Sequence, residues 1–142
     1  MDKKEATKFL ALIKVAYPTS YRDLDKVTTE ATINMWHITF DSVPFNIMVI
    51  AFERFRRVSK FPPTVAEICE ELKSVYYTAY ADYVQSGNSA WGNAKLNEEK
   101  RKKAKYIMDC TQQFENVQHR INYSNITDKQ IDAYYGHKML EG

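Results

Sequence analysis

Glycine and proline are scarce in this 142-residue chain, four of each, and strand-type alternation bounded by paired turn residues is hard to find. That scarcity argues against a β-rich or α/β fold and leaves helices as the default. Cysteine is equally sparse. Cys69 and Cys110 lie far apart in stretches that read as helical, so a disulfide framework is not expected and a reduced, intracellular setting fits. The three histidines, His37, His119 and His137, are isolated from one another and from both cysteines, which removes the spacing of a structural zinc site. Nor is there a Gly-framed serine, a phosphate-cradling glycine loop or a His-Glu-x-x-His run. No catalytic, cofactor-binding or metal-binding residue is therefore expected. No segment reaches the ~20 apolar residues needed to span a bilayer. The opening Met1-Asp2-Lys3-Lys4-Glu5 is charged rather than leader-like, so a cytoplasmic protein without membrane contact is expected.

An excess of one charge is also missing. Twenty basic and 18 acidic residues leave +2; residues 1–84 carry 11 of each, and residues 85–142 carry 9 and 7. A duplex-binding module draws its affinity from several cations releasing counterions, so weak or no direct nucleic-acid binding is expected.

Apolar residues, by contrast, are plentiful. They form 44% of the chain, with ten Tyr and seven Phe, enough to offset the entropy of ordering one compact domain. Phe9, Leu10, Ile13, Ala16 and Tyr17 recur at helical spacing before Pro18 stops the run. Leu24, Val27, Ala31, Met35 and Ile38 predict the inner stripe of a second helix, broadened by Ile33, Trp36 and Phe40. Asp41 and Ser42 are candidate caps for a third, with Pro44 in its first turn. Its Phe45, Ile47, Met48, Val49, Ile50, Phe52 and Phe55 predict a central helix, buried all round in its first two turns. Thr64 and Glu67 have capping-box spacing and open a fourth helix through Val65, Ile68, Cys69, Leu72, Val75, Tyr76, Ala79 and Tyr83. Tyr76, Tyr80 and Tyr83 are expected to line the core, with Tyr77 outward.

Turn formers over Ser86–Asn93 place a boundary there. The expected architecture is all-α: a small bundle of about four helices in residues 1–84, a linker at 85–94, and a less tightly packed helical or partly flexible segment at 95–142. In that segment Ala104, Ile107, Met108, Phe114, Val117 and Ile121 form a sparse stripe. Lys100, Arg101, Lys102 and Lys103 can serve either as a phosphate-binding run or as a solvated helix face paired with Glu98 and Glu99. Arg54, Arg56, Arg57 and Lys60 form a second cluster at a helix end, where positive charge complements the macrodipole. Thr127 and Gln130 again have capping-box spacing and introduce Ile131, Tyr134 and Tyr135 ahead of Gly136. With Ile126, these residues make a short amphipathic segment suited to a partner's groove. The candidate partner-binding residues are Ile126, Ile131, Tyr134, Tyr135, Lys100, Arg101, Lys102 and Lys103.

The strings Phe9-Leu10-Ala11-Leu12-Ile13-Lys14-Val15-Ala16-Tyr17-Pro18 and Ser59-Lys60-Phe61-Pro62-Pro63-Thr64-Val65-Ala66-Glu67-Ile68 bracket the segments Thr32–Trp36 and Pro44–Phe55. In that order they resemble the phage helicase loader and inhibitor proteins of Gram-positive hosts, over about residues 5–75. The resemblance implies a helical adaptor in the host bacterial cytoplasm whose C-terminal portion contacts a hexameric DnaB-type replicative helicase. It implies that the adaptor inhibits the helicase and delivers it to an origin-bound initiator protein, without hydrolysing ATP itself. Two other functions compete with it: a DNA-binding replication regulator using the two basic clusters, and an inhibitor of a host helicase loader.

Overall fold

A computed structural model of the chain describes residues 1–20, 24–87, 94–115, 121 and 123–141, with backbone alone for 94–96 and 139–141. The described residues form helices and the turns between them, without strands. Among the described residues six α-helices follow one another: α1 Lys3–Ala16, α2 Lys26–Thr39, α3 Phe45–Arg56, α4 Val65–Ser86, α5 Ala94–Thr111 and α6 Asp128–Glu141. Short 3-10 turns lie at Gln112–Phe114 and Tyr123–Asn125. A packed core with a C-terminal helical tail is the resulting architecture, as the apolar periodicity requires.

Local chemistry fixes the helix starts. Asp2 accepts the Glu5 amide at 2.7 Å while Glu5 accepts the Asp2 amide at 3.0 Å, a capping box that starts the helix ahead of its apolar period. Asp25 accepts the Thr28 amide at 2.6 Å. The reciprocal pair at α4 is as its spacing demands: Glu67 N–H to Thr64 Oγ1 at 3.1 Å and Thr64 N–H to Glu67 Oε1 at 3.0 Å. The start of α3 departs from expectation. Pro44 is itself the N-cap residue and no side chain caps the helix. Ser42 instead exchanges hydrogen bonds with Gln113, and the Asp41 carbonyl accepts from the Met1 amino group at 3.1 Å. That amino group also donates to the carbonyls of Phe40, at 2.6 Å, and Val43.

These contacts set directions. Met1 lies at the α2–α3 turn, and at the far end of α1 the Tyr17 hydroxyl donates to the Ser59 carbonyl at 2.9 Å, just past α3. Helices α1 and α3 thus run the same way and α2 runs against them. Between them sits an aromatic cluster: Phe9 packs on Trp36 and Phe52 with centroids 5.3 and 5.7 Å apart, and Trp36 stacks on Phe40 at 5.5 Å. Ile13, Ile47, Met48, Ala51, Ile68 and Leu72 complete the core.

Burial corrects three expectations. In α2 the inward residues are Ile33, Trp36 and Phe40, whereas Val27 is 77% and Ile38 63% exposed, with Ala31 and Met35 also outside. Two overlapping apolar stripes compete for the inner side, and the bulkier aromatic one, which α1 and α3 can meet with Phe9 and Phe52, takes it. In α3, Ile50 reaches the surface and Phe45 and Val49 are half-buried, because helix neighbours do not enclose its first turns completely. In α4, Tyr76 and Tyr83 are partly covered but Tyr80 is half exposed; the buried line is Ile68, Cys69, Leu72, Val75 and Ala79.

Helix α5 lies antiparallel along α4, the most extensive helix pairing among the described residues. Ala104 and Thr111 are buried, with the Thr111 hydroxyl returned to the Ile107 carbonyl at 2.7 Å, and Phe114 enters the core against Phe40 at 5.9 Å. Of the expected C-terminal stripe, Ile121 is exposed, and Val117, like His119, lies outside the described residues. So do Asn88–Asn93 of the expected linker. Helix α6 continues through Gly136 rather than ending before it. An exposed glycine costs a helix about 1 kcal/mol relative to alanine without breaking it.

Because Phe114 fills a core position, Phe114→Ala is expected to lower the unfolding free energy by about 3 kcal/mol, read from the midpoint of urea denaturation. Truncation after Asn125, where the described side chains removed are all exposed, is expected to change it by less than about 0.5 kcal/mol.

Candidate partner-binding site

Thr127 and Gln130 form the third reciprocal cap: Thr127 N–H to Gln130 Oε1 at 2.9 Å, and Gln130 N–H to Thr127 Oγ1 at 3.2 Å. The helix thereby fixes its own start without help from the body. Every described side chain from Tyr123 to Lys138 is exposed. Ile131, Tyr134 and Tyr135 are spaced three and four residues apart and so share one side of α6. The Tyr134 and Tyr135 rings meet edge to face at 5.3 Å, and the Lys138 ammonium lies 5.2 Å from the Tyr134 centroid. Ile126, just before the cap, is also exposed. These four apolar residues are thus gathered on one short element at the surface.

The basic run is placed differently. Arg101 lies over the Tyr83 ring, 4.2 Å from its centroid, and donates to the Tyr83 hydroxyl at 2.9 Å. Its guanidinium lies beside Gly87, in the space a Cβ there would enter. Lys100 reaches Asp82 at 3.7 Å. Lys103 borders a shallow groove of about 300 Å³ between α4 and α5, with Ala79, Asp82, Glu99 and Ala104, while Lys102 is exposed. Two of the four cations are therefore engaged in holding α5 to α4, and only Lys102 and Lys103 point positive charge outward. The second cluster is likewise divided: Arg54 pairs with Glu71 at 3.1 Å and reaches Ser74, and Arg56 pairs with Glu53 at 2.9 Å.

A cavity of about 630 Å³ opens beside the end of α2, between His37, Asp41, Cys69 and Gln113 on the body and Ile121, Ser124 and Asn125 on the approach to α6. His37 bonds through Nδ1 to the Met1 carbonyl at 3.0 Å, and burial pushes the Cys69 thiol up to about 11. Among the described residues no three His, Cys, Asp or Glu side chains converge as a metal site would require, and no buried side-chain polar atom lacks a partner. Among them, too, no helix is long and apolar enough to cross a membrane.

The family model for the N-terminal domain of the phage SPP1 helicase loader/inhibitor matches residues 1–69, just under half of the chain. Over residues 1–69 the chain is similar to the N-terminal domain of the phage helicase loader/inhibitor family. In structural terms the matched region takes in α1, α2, α3 and the first turn of α4, ending at Cys69. The rest of α4 together with α5 and α6 lies beyond it, and α5, α6 and the approach to α6 carry every candidate contact residue. No curated protein and no solved structure matches the chain.

Two outcomes test this placement. Arg101→Ala is expected to cost about 1 kcal/mol of stability through the lost contact with Tyr83, with Lys102→Ala near neutral in the same denaturation assay. Cys69 carries on the order of 0.1% thiolate at pH 8 and is 8% exposed. A thiol reagent is therefore expected to modify Cys110 first, and Cys69 on the timescale of unfolding.

Proposed function

We propose that this chain is a phage DNA-replication adaptor that binds a hexameric DnaB-type replicative helicase, holds it inactive, and hands it to an origin-bound initiator. Helix α6 is the docking segment, with Ile126, Ile131, Tyr134 and Tyr135 as apolar anchors. Lys102 and Lys103 supply rim charge, and Lys100 and Arg101 fix the helix that presents it. Residues 1–84 act as the scaffold and 95–142 as the partner-binding part. The chain works by binding in the host cytoplasm, without chemistry of its own.

The observation that carries this reading is an uncovered helix on a body whose first 69 residues match the loader-family model. A 14-residue helix is marginal alone in water, since most helical stability in proteins comes from packing one face. Here the helix is capped at its start, and its described apolar side chains stay exposed, uncovered by the rest of the chain. That is the form of a segment whose covering surface belongs to another molecule. Two tyrosines and an isoleucine are effective anchors if the partner desolvates them, and affinities from micromolar to nanomolar are within reach of a helix in a groove. Inhibition follows if the helicase state that receives the helix differs from the translocating one, because a ligand shifts an equilibrium by its differential affinity.

Size exclusion with light scattering, using the chain, a DnaB-type hexamer and nucleotide, tests the proposal. The full chain is expected to co-migrate with the hexamer, and the chain truncated after Asn125 is not. Tyr134→Ala with Tyr135→Ala is expected to weaken the complex by at least about tenfold, as loss of anchor residues does. Undiminished binding by the truncated chain would remove α6 from the interface.

A further inference from the structure

At the end of α3 the chain turns through Arg57-Val58-Ser59-Lys60-Phe61 before two prolines and the cap of α4. Val58 is 85% and Phe61 76% exposed, two large apolar side chains on one short turn. Single surface hydrophobes are ordinary; here two stand three residues apart on one turn. The turn is held from beneath. Tyr17 donates to the Ser59 carbonyl, the Ser59 hydroxyl donates to the Phe61 carbonyl at 3.0 Å, and it accepts the Phe61 amide at 3.3 Å. Pro63 is buried and Pro62 half-buried behind it. Exposure here is thus a fixed presentation, with little ordering left to be lost on contact.

Charge on the turn is unbalanced. Glu53 and Glu71 are committed to Arg56 and Arg54, while Arg57 and Lys60 are exposed with no ion pair among the described residues. The turn also lies at the opposite pole from the tail. Ile121, Ser124 and Asn125 border the α2 end, near the start of α3, whereas Ser59 follows its finish, and α3 spans 12 residues, about 18 Å.

We infer that the Arg57–Phe61 turn is a second docking site, for a folded protein that offers an apolar pocket rimmed by carboxylates, distinct from the protein that covers α6. The complementary charge selects the rim, and Val58 with Phe61 fill the pocket. A single strand of nucleic acid fits less well, because stacking sites use several aromatic faces along a groove and this is a convex turn with one. A lipid surface fits less well too: two side chains bury less than a single acyl chain, which by itself anchors only marginally. Two sites at opposite poles allow both partners to be held at once, which an adaptor needs. The inference rests on the proposed adaptor function, with the initiator as the pole-distant partner.

The test measures binding of the full-length chain to purified DnaB-type hexamer and, separately, to the origin-binding initiator of the same replication system. The variants are V58S with F61S, and R57E with K60E; all four positions are at the surface, and circular dichroism checks the fold. Each pair is expected to weaken initiator binding by at least about tenfold and to leave helicase affinity within about twofold. Unchanged initiator affinity in both pairs, or a wild-type chain that ignores the initiator, overturns the inference while leaving the helicase reading intact. Loss of helicase affinity instead would put the turn in the helicase interface and overturn it as stated. Binding to an oligo-dT strand or to anionic vesicles that the same variants abolish would reassign the turn to nucleic acid or lipid. A wild-type chain that does not bind the helicase refutes the adaptor reading, which is a separate result.

Discussion

Phe40 is the residue on which the body depends. Its ring stacks on Trp36 and meets Phe114, while its carbonyl accepts the Met1 amino group. One residue at the end of α2 therefore ties together the start of α1, the core of α2 and a segment far along the chain. Through Phe114 it fixes the end of α5, and the Arg101–Tyr83 contact fixes the part of α5 nearer its start. Between these two ties α5 has little freedom to leave α4. The body thus runs through Phe114, well past the region that the family model matches, and the uncovered helix α6 begins at Asp128.

That division has a physical reason. A helix stays attached when it can bury a face, and α5 does so through Ala104 and Thr111, both buried, with Phe114 in the core just beyond its end. Helix α6 has larger apolar residues and no described face of the body covers them. What it gains from its own cap and from the Lys138–Tyr134 contact is worth about a kilocalorie. Such a helix is easily lost and regained, and a partner's groove can determine which state prevails.

Much of this was legible in the sequence, where spacing and chemistry spoke together. The caps at Thr64 and Thr127 were readable because a hydroxyl and a Glu or Gln three residues on have few other uses. The α4 stripe was readable because it is long and has one acidic side. The inner face of α2 was not, since Val27-Ala31-Met35-Ile38 and Ile33-Trp36-Phe40 both have helical period, and only the aromatic residues of α1 and α3 decide between them. Tyr80 misled in the same way, being on the period but not covered by the packing of α5. The roles of Lys100 and Arg101 depend on Asp82 and Tyr83, which become their neighbours only when α4 and α5 pair antiparallel. The Arg57–Phe61 turn escaped notice as a surface because its cations read as helix-end charge and its phenylalanine as the lead-in to a proline stop.

The central claim is that α6 is a capped but uncovered helix whose covering surface is a replicative helicase. Amide hydrogen exchange on the full chain, with and without DnaB-type hexamer and nucleotide, tests it most directly. The account predicts fast exchange over residues 128–138 in the free chain beside slow exchange in α3, and strong protection of 128–138 once the hexamer is present. Protection of α6 in the free chain equal to that of α3, or no added protection with the hexamer bound, would contradict it.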